Sequence, residues 1–361
     1  MRKHIPALTS LRFLAALWVF VFHLHLWHGD FGISPIDKFI HAGPVGMAFF
    51  FVLSGFILAQ AAVGTEPLND FRGYAVRRLA RIYPIYLFVL VSGWLLNGFA
   101  GPLGDKPMRS AAAHGLADLT LTNAWFPQMF MGGHGRDGTW SLSVEVFFYA
   151  LFPVILFHAN RLSDRAIVLG IRWALGLMFF FAVMGKYIQP MDHFTQTVVF
   201  YSMPIFRLPE FVAGVFAGVL ALRDTTVAPT GRRLAWYFVG LVFFMAVFAK
   251  TFPWVALGLF AIPFLLGIFT YFARVSEGPA TRIFGHPAFV FLGEASFALY
   301  LVQLVTIPWF KANAMAMGLG LRPAIAVCFV VTLVLACLVH LLVERPMRPL
   351  VTRWLTAKPI A

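Results

Sequence analysis

Charge is what this chain has least of: Asp, Glu, Lys and Arg together make up 12% of its 361 residues, and only 15 residues are acidic. With 60% hydrophobic residues and a mean hydropathy of +0.81, too little polar surface remains to cover a water-soluble domain. Cysteine is nearly absent as well. Cys328 and Cys337 fall in one apolar stretch, nine residues apart and therefore on opposite sides of a helix, which excludes a disulfide between them. No small-residue cleavage site follows the first apolar run, and that run carries Arg12, so it is expected to remain as a span rather than leave as a signal peptide.

What the chain does have is repeated apolar stretches of membrane length. They predict an all-α integral membrane protein, a polytopic bundle of about ten transmembrane helices near 8–28, 43–62, 82–100, 141–158, 166–185, 204–222, 233–250, 254–274, 289–310 and 322–343. The stretch 111–126 is only moderately apolar and reads as an interfacial or re-entrant helix, with a glycine-rich loop, GGHGRDG, behind it. Residues 1–345 then form one membrane domain and 346–361 a short basic tail. With both termini in the cytoplasm, basic residues of the inner loops outnumber those of the outer loops by about two to one, the bias that retains Lys and Arg inside. The net charge of +13 thus reflects orientation and anionic headgroups, and its dispersal over the loops speaks against nucleic acid as a partner.

The few charges inside spans carry the functional signal, because such groups are costly there. Arg12 and His23 lie eleven residues apart in the first span; at about 100° and 1.5 Å per residue they share a face and differ in depth by about 16 Å. In FRGYAVRRLARIYPIY, Arg77, Arg78 and Arg81 crowd one end of the third span against like-charge repulsion, which an anion such as phosphate relieves. Glu145, in TWSLSVEVFFYALFP behind Trp140, Ser141 and Ser143, must be paired, protonated or in a wet cavity. Ser54-Gly55 in GPVGMAFFFVLSGFILA offers a local break, and Arg207 with Glu210 in FRLPEFVAG are spaced to neutralise each other. His25 and His28 tempt a metal reading, but His23 and His25 face largely opposite ways and only Asp30 offers a third donor. No metal site is expected.

These fragments, in this order, resemble the acyltransferase-3 family of membrane O-acyltransferases. The resemblance runs over nearly the whole chain. It is carried by the Arg12/His23 pair, GPVGMAFFFVLSGF (43–56), RRLARIYPIY (77–86), WSLSVEVFFY (140–149), FRLPEFVAG (206–214), LGEASFALYL (292–301) and ERP (344–346). The chain departs from the family at Thr9, where an acidic residue is common, and at Gln303, where a histidine is common.

The resemblance implies transfer of an acyl group, usually acetyl, from cytoplasmic acyl-coenzyme A to a hydroxyl presented within or across the bacterial inner membrane. Arg77, Arg78 and Arg81 would then receive the coenzyme's phosphates. Arg12 would hold a phosphate or steer the pantetheine arm, and His23 would meet the thioester end. A hydroxyl is a weak nucleophile until a base takes its proton, and His23 is the candidate base, with Glu145 expected to orient it if the two are close. An acyl-histidine intermediate is the alternative route. Ser54, Ser141 and Ser143 are candidate oxyanion donors, and none sits in a nucleophile-elbow motif. The expected acceptor is a cell-envelope glycan or lipid-linked sugar, with a small molecule such as a macrolide as the alternative. A transporter or flippase is the rival class, although the halves 1–180 and 181–361 show no matching interrupted helices.

Overall fold

The computed structural model describes residues 5–62, 67–97, 108–126, 139–187, 199–224 and 228–356. The glycine-rich loop 132–138 and the last five residues of the basic tail lie outside the described residues. Every regular element described is helical. In chain order they are α1 (Pro6–His28), α2 (Ser34–His41), α3 (Val45–Ala61), α4 (Phe71–Asn97), α5 (Met108–Leu119), α6 (Trp140–Arg161), α7 (Asp164–Tyr187) and α8 (Pro204–Arg223). There follow α9 (Gly231–Phe248), α10 (Trp254–Arg274), α11 (Pro279–Phe284), α12 (Pro287–Glu294), α13 (Ser296–Asn313), α14 (Leu321–Val339) and α15 (Arg345–Thr356).

Eight helices are long and apolar enough to cross a membrane among the described residues, and ten crossings result when two bent pairs each count as one. The pairs are α2 with α3, bent by 45°, and α12 with α13, bent by 51°. Ten was the expected number, but two of the spans are broken. Proline sets several starts: Pro6, Pro204, Pro279 and Pro287 occupy first-turn positions, where the missing N–H costs nothing.

The bundle is organised around α3, which packs against α8, α10, α1 and α6. Approach to α8 is close because glycine faces backbone on both sides. A Cβ at Gly55 would strike the carbonyl of Phe211, one at Gly214 the carbonyl of Val52, and one at Gly218 the carbonyl of Phe56. The side chain of Gln60 donates to the Gly218 carbonyl at 2.9 Å, so the contact also carries a buried hydrogen bond. A similar contact holds α12 against α1, where Gly293 lies on the backbone of Thr9. By contrast, α7 and α9 turn Trp173, Phe179, Trp236 and Phe243 outward, a surface suited to lipid rather than water.

Three element boundaries differ from the expected ones. Helix α4 begins at Phe71, well before 82, because the arginine-bearing turns are helical and merely too polar to register as membrane core. Most of the expected tail is the helix α15, which joins α14 through a π-helical turn at His340–Glu344 and packs on α4. The moderately apolar stretch forms α5 and a 3₁₀ turn at Asn123–Trp125. With 12 residues, α5 is about 18 Å long at the usual rise, too short to span the hydrocarbon. It is tied to α4 by Tyr86, whose hydroxyl donates to the Asp118 carbonyl at 2.8 Å, and by Tyr83, which donates to Leu119 at 3.0 Å.

The α3–α8 contact makes a direct forecast. Gly214→Ala should destabilise the folded protein by about 1–3 kcal/mol, the usual cost of overpacking. Gly176→Ala, where a Cβ meets nothing within 4 Å, should be neutral or slightly stabilising. Thermal unfolding of the two variants in the same detergent separates these outcomes.

Candidate active site

Four of the charged residues singled out in the sequence, Arg12, Arg78, Arg81 and Glu145, converge on one cavity of about 260 Å³. Its wall takes Arg12 from α1, Ser54 from α3, Arg78 and Arg81 from α4, Ser141 and Glu145 from α6, and Ser296 and Tyr300 from α13. Most of the rest is apolar, including Met47, Phe50, Phe51 and Phe297. Three cations and one carboxylate in such a lining leave an excess of positive charge, and a low-polarity wall makes that excess felt strongly.

Each arginine is held differently. Arg78 lies over the rings of Tyr74 and Tyr149, 5.6 Å and 5.7 Å from their centroids, and its Nε is buried without a hydrogen-bond partner among the described residues. Arg12 and Arg81 are close enough to repel each other, with Glu145 and Glu344 as the nearby negative charges. Arg77 does not join them. It turns outward to Asp70, 3.4 Å away and exposed, a pair of the kind that contributes little stability. The i, i+3 pair Arg78 and Arg81 therefore faces the cavity, and Arg77 does not.

Glu145 is bonded to hydroxyls. Ser54 Oγ donates to its Oε1 at 3.5 Å, and Tyr149 donates to the same oxygen from one turn along α6. Ser141 Oγ and Tyr300 Oη are 2.8 Å apart and bridge α6 to α13. Two of the other residues named from sequence sit behind the wall. Ser143 is buried away from the cavity with no partner for its Oγ among the described residues, and Trp140 packs on Phe51 and Tyr201.

His23 stands further along α1 and does not line this cavity. Its Nδ1 is 3.2 Å from Oε1 of Gln303 on α13. The imidazole is thus oriented by an amide, whereas Glu145, expected in that role, takes its hydrogen bonds from Ser54 and Tyr149. Arg207 and Glu210 form the anticipated ion pair at 3.0 Å, both fully buried, with the guanidinium over the rings of Tyr201 and Phe51. Phe51 also lines the cavity, so the pair stiffens its wall from behind.

Several contributors were not among the candidate site residues, although Glu344 opens the ERP fragment. Glu344 is buried and takes hydrogen bonds from Arg348 and from His340 Nδ1, the latter at 2.8 Å. His340, Glu344 and Arg348 recur every four residues across the π-helical turn, a period that does mark one helix face in the sequence HLLVERPMR. At the other end of α1, His25 Nε2 lies 3.2 Å from Asp30, and donor atoms of His25, Asp30 and Asp37 lie within 4.8 Å of one another. Asp37 was not anticipated there. Lys250 already sits 2.9 Å from Asp30, and its hydrogen bond holds that exposed carboxyl below the usual carboxylate range.

The acyltransferase domain family matches residues 5–341, nearly the whole chain. The chain belongs to the acyltransferase-3 family. The acyltransferase MdmB of Streptomyces mycarofaciens is 26% identical over 99% of this chain and 94% of its own length. A putative O-acetyltransferase of Staphylococcus aureus (strain COL) is 24% identical over 84% of this chain, which spans only 51% of that relative. A putative acetyltransferase of Acidianus two-tailed virus is 26% identical, covering 69% of this chain and 68% of its own. No solved structure matches the chain. Family and apolar helices together make it a multi-pass membrane O-acyltransferase, an enzyme that moves acyl groups other than aminoacyl groups.

The Arg207–Glu210 pair has a structural role that stability measurements isolate. Arg207→Met alone should cost about 3–5 kcal/mol by stranding a buried carboxylate, and Arg207→Met combined with Glu210→Leu should recover most of it. Unfolding midpoints of the wild type, the single and the double variant in detergent give the comparison.

Proposed function

We propose that the chain transfers an acyl group, acetyl in the simplest case, from acyl-coenzyme A to a hydroxyl of a cell-envelope glycan or lipid-linked sugar. The observation that carries this reading is the arrangement along α1: Arg12 shares a cavity with Arg78 and Arg81, and His23 stands on the same face about 16 Å further on. Guanidinium forks suit phosphate oxygens, and the Nε of Arg78, without a partner among the described residues, is a donor a phosphate can take up. The apolar floor of the cavity suits the uncharged arm of the donor, not its phosphates. In this reading the arginine end faces the cytoplasm of a bacterium, and the bundle sits in its inner membrane.

At the far end of that arm, His23 takes the proton of the acceptor hydroxyl as the oxygen attacks the thioester carbon. The carbon–oxygen bond forms, the carbon–sulfur bond breaks, and the leaving thiolate recovers the proton from the imidazolium. No covalent enzyme intermediate is needed. Glu145, with Ser54 and Tyr149 donating to it, acts as the counter-charge that keeps the arginines together while the donor is absent.

Thiol release from acetyl-coenzyme A by the purified protein in nanodiscs tests this, with envelope glycans or hydrophobic alcohols as acceptors. His23→Ala should lower kcat by about 10²–10⁴ with donor binding intact, and Arg81→Ala should raise the donor KM. Release supported by the alcohols but not by glycans would overturn the acceptor assignment and leave the donor path standing. Neither binding nor consumption of any acyl-coenzyme A would remove the whole reading.

A further inference from the structure

Gln303 is wholly buried and lies on α13, the helix that supplies Ser296 and Tyr300 to the arginine cavity. Ser296 and Tyr300 line that cavity; Gln303 is seven residues beyond the first and three beyond the second. At about 100° and 1.5 Å per residue, it shares the face of Ser296 and lies about 10 Å further along the helix. It thereby meets His23, which is displaced in the same sense from Arg12 on α1. One half of the amide is used, since Oε1 is the partner of His23 Nδ1 at 3.2 Å. The other half is idle: Nε2 is buried and has no hydrogen-bond partner among the described residues. A buried amide donor left unsatisfied is unusual and costly.

We propose that Gln303 is a positioning and oxyanion-binding residue of the acyl transfer, a role that rests on the reading of His23 as the base. Its Oε1 accepts Nδ1–H and so fixes the tautomer whose Nε2 carries the free lone pair. Its Nε2–H donates to the thioester oxygen as that oxygen gains charge in the tetrahedral intermediate. One side chain therefore aims both the base and the electrophile, and the two stay in register because the same amide plane holds them. The orientation of the amide is decisive. Were it reversed, Nε2 would donate to the imidazole, His23 would carry its proton on the other nitrogen, and no lone pair would face the acceptor.

Two replacements dissect the roles. Gln303→Glu keeps an oxygen for Nδ1–H and removes the donor; Gln303→Met keeps the shape and removes both. Nitrogen-15 spectra of the imidazoles, with the His23 signal assigned by its loss in His23→Ala, should show Nδ1–H in the wild type and in Gln303→Glu, and a mixture in Gln303→Met. Both variants should lose about 10²–10³ in kcat, the usual effect of removing one oxyanion donor, with the donor KM unchanged. If Gln303→Met fails to fold, the wild-type tautomer and Gln303→Glu still decide. A wild-type His23 protonated at Nε2, or a folded Gln303→Glu with wild-type kcat, overturns the proposal. Full activity in His23→Ala would instead remove the base reading beneath it, whatever the spectra show.

Discussion

Three guanidinium groups face one cavity inside a largely apolar bundle, and Glu145 and Glu344 are the carboxylates near enough to balance them among the described residues. Charges of one sign at such proximity repel with little solvent to screen them. The surrounding structure answers that repulsion piece by piece. Tyr74 and Tyr149 offer ring faces to Arg78, Ser54 and Tyr149 donate to the carboxylate of Glu145, and the π-helical turn before α15 packs on α4 and brings Glu344 alongside. The remaining imbalance is what an anionic ligand would relieve, so electrostatic strain and binding capacity are two descriptions of the same arrangement.

Helix geometry makes the cavity available. The glycine-mediated contact of α3 with α8 draws these two helices together on the far side of α3, and leaves Phe51, Ser54 and Leu58 to face the opening. The break between α12 and α13 has a complementary effect. It lets α12 lie against α1 through Gly293 while α13 sets off at a new angle, presenting Ser296 and Tyr300 to the cavity and Gln303 to His23. Irregular backbone inside a membrane bundle is tolerated where protein or a cavity covers it.

Much of this was readable from local pattern. Arg12 and His23 share a face by simple periodicity, the arginine cluster declares itself by crowding, and the spacing of Arg207 and Glu210 predicts their ion pair. What the pattern could not supply were the contacts between distant segments. The partner of His23 is 280 residues away at Gln303, and that of Ser54 is 91 residues away at Glu145. In the sequence Gln303 stands out only as a departure from the family, and Glu145, expected to orient His23 if the two were close, takes hydrogen bonds from Ser54 and Tyr149. Hydropathy also misjudged α4, because arginine-bearing turns continue a helix beyond the apolar core. Whether Arg77 or Arg78 would face inward depended on how α4 packs in the bundle, which leaves Arg77 outside beside Asp70.

A single uninterrupted helix carries both Arg12 and His23, and this makes α1 a ruler. Loops elsewhere in the chain can lengthen or shorten without disturbing the site. Between these two residues they cannot: one inserted residue would swing His23 by about 100° away from Gln303 while leaving the arginine end untouched. Substitutions along this segment are therefore open to drift so long as the faces match, whereas insertions and deletions are closed to it. On the proposed reading, descendants of this chain can change what they bind far more readily than the distance between the arginine end and the base.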